Sequence, residues 1–183
     1  MTSLRAYDLA LELRDNTRAA FLARYPAPFL LQAINPEEAS GVRGFKTEAA
    51  TAPMSAVRLI SEGFELRRDL RETVAHIVEK RRESPWQDRI IVGRARNGDI
   101  VIEHSSVSKV HAHITTREDG TLMVRDVGSR NGTRVNGVVV GAETPLPLRK
   151  GAILGIGDIE LELVDAGDLY DRFRGSVIQK TTP

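Results

Sequence analysis

The stretch Val127-Gly128-Ser129-Arg130-Asn131-Gly132-Thr133-Arg134-Val135-Asn136-Gly137-Val138-Val139-Val140 decides the fold class. Asn136-Gly137 stands between two valine-bearing runs. A type I′ turn needs positive φ at both central residues, which Asn and Gly tolerate, so a β-hairpin is expected here. Outward from it the same texture continues: Ile90-Ile91-Val92, Ile100-Val101-Ile102, His111 to Thr116, Leu122 to Val127, Ala152 to Leu154 and Ile159 to Val164, each bounded by Gly, Asn, Asp or Pro. Runs this short cannot build a buried parallel sheet with helical crossovers. The chain is therefore read as mainly β, an antiparallel β-sandwich over residues 72–165.

The flanks read differently. Leu9, Leu13, Thr17, Ala20, Phe21 and Arg24 fall at helical spacing, so one amphipathic helix is expected from Leu4 to Arg24, capped by Thr2 or Ser3 and closed by Pro26 and Pro28. Phe29 to Ile34 reads as a strand or buried extended piece, and Asn35 to Pro53 as loop or linker. Between Phe64 and Arg82 periodicity allows helix or strand. Residues 1–71 are thus an N-terminal extension, helix plus linker. Residues 166–183 form a short helix, Ala166 to Arg174, with Leu169, Tyr170 and Phe173 on one side, followed by a frayed tail from Ser176.

Composition narrows the function. The 26 basic and 25 acidic residues leave a net charge of +1, and both sides of Leu70 are balanced, so bulk attraction to nucleic acid is not expected. Any anion site must be local. With no cysteine there are no disulfides, thiolate nucleophiles or cysteine-bound zinc. No apolar run approaches the roughly 20 residues of a membrane helix, and the expectation is a soluble, cytoplasmic protein with no membrane partner.

Three polar loops punctuate the β region: Gly93-Arg94, Ser105-Ser106-Val107-Ser108-Lys109-Val110-His111, and Gly128-Ser129-Arg130-Asn131-Gly132-Thr133. A fixed guanidinium, hydroxyls, an ammonium and a primary amide suit a phosphate carried on a peptide. Taken singly, Arg94 could be a solvated strand-end arginine, Ser108 a turn serine and Asn131 a turn former.

In order and wording these segments resemble the forkhead-associated (FHA) domain family, whose members bind phosphothreonine peptides through loops at one end of a β-sandwich. The resemblance covers about half the chain, continuing through Leu148-Arg149-Lys150-Gly151 and Ile153-Leu154-Gly155. It favours a first strand at Val74 to Arg82. It implies that Arg94 and Ser108 contact phosphate, that Lys109 adds a donor, and that the Asn131 amide pairs with the peptide backbone beside the phosphothreonine. Gly93, His111, Gly132, Asn136 and Gly137 are expected to support the site. Arg130 departs from the small hydroxyl residue many relatives carry, so it either supplies charge or points away. Ser106, Val107 and Arg134 are candidates for reading neighbouring peptide positions.

The implied function is a phosphothreonine-peptide-binding module for phosphorylation-dependent interaction in signalling. Its partner would be a threonine-phosphorylated protein such as a Ser/Thr kinase or its substrate. The alternative is a phosphate-independent assembly module on the same sandwich. His104, His111 and His113 are the histidines a metal would need, but no carboxylate stands at ligand spacing, so no metal or cofactor is expected. Gly151 to Asp158 lacks the Lys-Ser/Thr pair of a P-loop, and no serine has a nucleophile-elbow context, so the chain is not read as an enzyme. Asp126 is expected to anchor the asparagine loop. Thr181-Thr182-Pro183 offers a threonine for phosphorylation and self-recognition.

Overall fold

A computed structural model describes residues 3–34, 64–81, 86 and 88–179. The expected Asn35–Pro53 linker and the Thr181-Thr182-Pro183 tail lie outside the described residues. The elements run β1 (Ser3–Arg5), α1 (Ala6–Asp15), α2 (Arg18–Arg24), β2 (Phe29–Ala33), β3 (Phe64–Leu66), α3 (Arg68–Arg71), β4 (Thr73–Ile77), β5 (Ile90–Gly93), β6 (Ile100–Val101) and β7 (Ala112–Thr116). They continue with β8 (Leu122–Asp126), β9 (Thr133–Val135), β10 (Val138–Val140), β11 (Leu146–Leu148), β12 (Ile153–Ile156), β13 (Ile159–Val164), α4 (Ala166–Phe173) and β14 (Val177–Gln179).

Two sheets face each other. One has seven strands in the order β1-β4-β2-β13-β12-β9-β10, the other five in the order β11-β8-β7-β5-β6. The β9–β10 hairpin forms as expected, with φ 51° at Asn136 and 80° at Gly137. One pair departs from the antiparallel expectation: β5 and β6 run parallel, the intervening loop returning the chain alongside β5, where Asp99 N donates to Ile91 O at 3.0 Å. The strand Leu146–Leu148, interrupted by Pro147, carried no pattern visible in the sequence.

At β2 the seven-stranded sheet is buried on both faces, which explains the apolar run of that strand. Phe29 and Leu31 join the cluster formed with α1, α2 and α4, while Leu30 between them joins the sandwich core with Val124, Leu154, Leu161 and Ile114. The N-terminal segment therefore supplies two sheet strands as well as helices. Phe21 is fully buried at the centre of the helical layer, its ring 4.9 Å from Tyr25, 5.5 Å from Tyr170 and 6.4 Å from Phe29.

The single N-terminal helix expected from the periodicity is two helices. Asn16 donates its amide to the Glu12 carbonyl at 2.9 Å, and the Thr17 hydroxyl caps α2 by accepting from Ala20 N at 3.3 Å. Both side chains compete with the backbone ladder and break it. Ser3 is a strand residue, not a cap. α4 forms as expected, with Leu169, Tyr170 and Phe173 buried and Asp165 as its N-cap. The tail does not fray at Ser176: Val177–Gln179 pairs with Phe64–Leu66. The strand expected at Val74–Arg82 is Thr73–Ile77; beyond it, Arg81 N turns to the buried carboxylate of Asp99 at 2.9 Å, which also takes Ile91 N at 2.8 Å. Among the described residues no helix is long and apolar enough to cross a membrane.

His76 on β4 is buried, its Nε2 3.0 Å from Gln32 Oε1 and its Nδ1 2.8 Å from Ser3 Oγ. Gln32 Oε1 can only accept, so Nε2 carries the proton and Nδ1 takes the serine hydroxyl. Burial, aided by the nearby Arg5 charge, lowers its pKa to about 4. The unfolded state therefore binds the extra proton first as pH falls, and stability drops from pH 6.5 to about pH 4 by roughly 3 kcal/mol. Denaturant unfolding of wild type and His76→Gln across that range should show this extra acid loss in wild type alone; parallel curves would contradict it.

Candidate functional site

The three polar loops meet at one end of the sandwich, because β5, β7, β8 and β9 bring their ends there and glycines let the backbones touch. At Gly93 an added Cβ would lie 2.4 Å from the Lys109 carbonyl oxygen, so only glycine fits. That closeness zips the first loop onto the second. Arg94 N donates to Ser108 O at 2.9 Å and Ala95 N to Lys109 O at 3.1 Å. The Arg94 guanidinium is oriented by its Nε, which donates to Val107 O at 3.1 Å; its two Nη groups carry no hydrogen bond among the described residues.

His111 joins the second loop to the third. It is fully buried, its Nδ1 accepts from Ser108 N at 3.0 Å, and its Nε2 donates to Gly132 O at 3.1 Å. These partners fix a neutral imidazole with the proton on Nε2. Its main chain adds bonds to both neighbouring strands, His111 N to Val92 O at 2.9 Å and Val127 N to His111 O at 3.2 Å.

Asp126 holds the third loop. One carboxylate oxygen accepts from Gly128 N and Ser129 N at 2.8 and 2.9 Å, the other from the hydroxyls of Ser129 and Thr133, both at 2.6 Å. Ser129 Oγ passes the network on by accepting from Gly132 N at 2.9 Å. Burial works against the Asp126 charge, yet the hydroxyls of Ser129 and Thr133 and the two amides outweigh it and hold the carboxyl below its ordinary pKa. Gly132 takes φ 77°, the left-handed conformation expected of it. At the far end of β9, Asn136 pins the hairpin to β12 by accepting from Ile153 N at 2.8 Å.

The result is a rim of preset donors. Arg130 N donates to Ser108 Oγ at 3.0 Å, which leaves that hydroxyl's own proton to give. Asn131 Nδ2 donates to Ser106 O at 2.7 Å, leaving one amide N–H and Oδ1 to pair elsewhere. Arg94, Lys109 and Arg130 are all exposed. The arrangement can receive a compact anion and, beside it, an extended backbone.

Two expected peptide readers are misplaced. Val107 lies in the sandwich core, and Ser106 is buried, its hydroxyl accepting from Asp158 N at 3.0 Å and sitting 2.7 Å from His104 Nδ1. Arg134 stays exposed and reaches Gly157 O at 3.4 Å. The Ser106–Gly157 contact, where an added Cβ would come within 2.7 Å of the serine carbonyl oxygen, joins positions far apart in the chain and left no sequence signal. Among the described residues no group of three His, Asp or Glu side chains could hold a metal ion; His104 and His111 are occupied by Ser106, Ser108 and Gly132.

Removing the Asp126 anchor strands four donors. Asp126→Ala should cost about 2–3 kcal/mol of stability and Ser129→Ala about 1 kcal/mol, measured by chemical denaturation. Changes within 0.5 kcal/mol for both would show that the carboxylate does not hold the loop.

A family model for the FHA domain matches residues 90–157. Over 74 residues the chain is 40% identical to the ABC transporter ATP-binding/permease protein Rv1747 of Mycobacterium tuberculosis, covering 40% of this chain and 8% of that protein. Over 67 residues it is 37% identical to the protein phosphatase 1 regulatory inhibitor subunit PPP1R8 homolog of Arabidopsis thaliana, covering 36% of this chain and 18% of that protein. The match thus spans less than a fifth of either relative. Among solved structures, the FHA domain of the CT664 protein from Chlamydia trachomatis aligns with a TM-score of 0.45 at 21% identity, over 76% of this chain and 98% of that one. Residues 90–157 are thus similar to the forkhead-associated domain family.

Proposed function

We propose that this domain binds threonine-phosphorylated peptides and so recruits the chain to a phosphorylated partner protein, such as a Ser/Thr kinase or its substrate. The observation that carries the reading is the interlocking of three loops, which sets the free Nη edge of Arg94, the Ser108 hydroxyl and the Asn131 amide around one rim. Phosphothreonine brings close to two negative charges and three acceptor oxygens. A planar guanidinium already oriented by Val107 O can take two of those oxygens together, and the serine hydroxyl a third. Asn131 keeps both a donor and an acceptor, which a strand-like ligand backbone needs. The similarity to the FHA family supports the same roles for Arg94, Ser108 and Asn131, with His111 and Gly93 as the residues that hold them in place. This is binding chemistry without a reacting group, consistent with an interaction module.

A second reading, assembly independent of phosphate, draws on the edge strand β10, where Val138 and Val139 are 59% and 70% exposed. Titration with matched peptides that differ only in the phosphate separates the two. The phosphopeptide should bind and its dephosphorylated twin should not. Arg94→Ala should weaken binding by about 2–5 kcal/mol while leaving the fold intact by circular dichroism. Arg94→Lys should rescue little, since an ammonium cannot span two oxygens. Equal affinity for both peptides would eliminate phosphate recognition and favour assembly.

A further inference from the structure

The rim carries more positive charge than one phosphate ester can neutralise. Arg94, Lys109 and Arg130 are exposed, and among the described residues none has a carboxylate within ion-pair distance. Elsewhere some exposed cations are matched, Arg125 by Glu143 at 3.3 Å, Arg172 by Glu162 at 2.7 Å, and Lys150 by Asp165 and Asp168 at 2.6 and 2.8 Å, while others such as Arg117 and Arg149 stand singly among the described residues. The whole chain is only +1, so what marks the rim is the clustering of three such cations.

The backbone sets the three cations around one point. Arg94 N bonds the Ser108 carbonyl, Lys109 follows Ser108, and Arg130 N bonds the Ser108 hydroxyl. A phosphate monoester supplies about −1.5 to −2, enough for Arg94 and at most one more cation. Arg130 directly precedes Asn131, whose amide keeps one N–H and Oδ1 free for a ligand backbone, so Arg130 stands nearest the residues flanking a docked phosphothreonine.

Resting on the phosphothreonine reading, we propose that Arg130, with Lys109, selects peptides carrying a second anion within a few residues of the phosphothreonine, either a carboxylate or another phosphate. A long arginine can reach past the docked phosphate to a neighbouring side chain. A serine or threonine at this position could not.

The test measures the full chain by fluorescence anisotropy against pools of phosphothreonine peptides in about 50 mM salt, where exposed charges are weakly screened. One pool has only uncharged flanks, one a single Glu within three residues of the phosphothreonine, and one a second phosphothreonine there. The acidic pools should bind about two- to fivefold tighter than the neutral one, and the ratio should shrink in 0.5 M salt. Arg130→Gln should bring it close to one. Arg149→Gln, an exposed cation at the opposite end of the sandwich, should keep the wild-type ratio. A gain with Glu identifies the second anion as a carboxylate, and a gain with phosphate alone identifies a doubly phosphorylated ligand. A wild-type ratio of one, or a ratio that survives in both Arg130→Gln and Lys109→Gln, overturns the proposal while the single-phosphate reading stands. No binding of any phosphothreonine pool overturns that reading itself.

Discussion

The buried imidazole of His111 accepts a hydrogen bond from one loop and donates one to another, and the geometry of the rim depends on that bridge. Loops that must hold an anion face a basic conflict: their cations and hydroxyls repel or hydrate one another, and free side chains lose entropy when a ligand orders them. Here the cost is met during folding. Gly93 lets the first loop lie against the second, His111 ties the second to the third, and Asp126 gathers the third around four hydrogen bonds. The residues that would touch a ligand keep free groups: both Nη of Arg94, the Ser108 hydroxyl proton, and one N–H and Oδ1 of Asn131.

The same logic explains why so few charges suffice. A chain with almost no net charge cannot attract an anion over long distances. It gathers three cations without an ion pair among the described residues at one end, while Arg125, Lys150 and Arg172 elsewhere are paired. On the proposed reading, specificity would come from donors fixed in direction and not from a basic face. The helical layer serves a separate purpose. It packs on the other face of the seven-stranded sheet through Phe21, Phe29 and Tyr170, against β2 and β13.

Much of the sandwich and its loops was legible in the chain because local chemistry determines them. Asn136-Gly137 must turn, Gly132 must take positive φ, and short runs between such breakers must be strands. Asp126 was readable as a loop anchor for the same reason, lying within seven residues of all four of its donors. What escaped depends on tertiary contact. The helical periodicity from Leu4 to Arg24 is real, but it cannot show that Asn16 and Thr17 will bond the backbone and divide the helix. The pairing of Val177–Gln179 with Phe64–Leu66 spans most of the chain. Ser106 and Val107 looked like exposed loop residues; only the approach of Gly157 and the closing of the core show them to be buried. The staple from Asp99 to Arg81 and Ile91 likewise joins segments whose sequences give no hint of each other.

The central claim is that three separate loops act as one receptor for a phosphorylated threonine. Backbone amide chemical shifts, followed by NMR as a phosphothreonine peptide is added, test it most directly. The account predicts that the amides of Arg94, Ser108, Arg130 and Asn131 shift together along one binding curve, with the dephosphorylated peptide leaving them in place. Shifts confined to one loop, or centred on β10 and the outer face of the seven-stranded sheet, would contradict it.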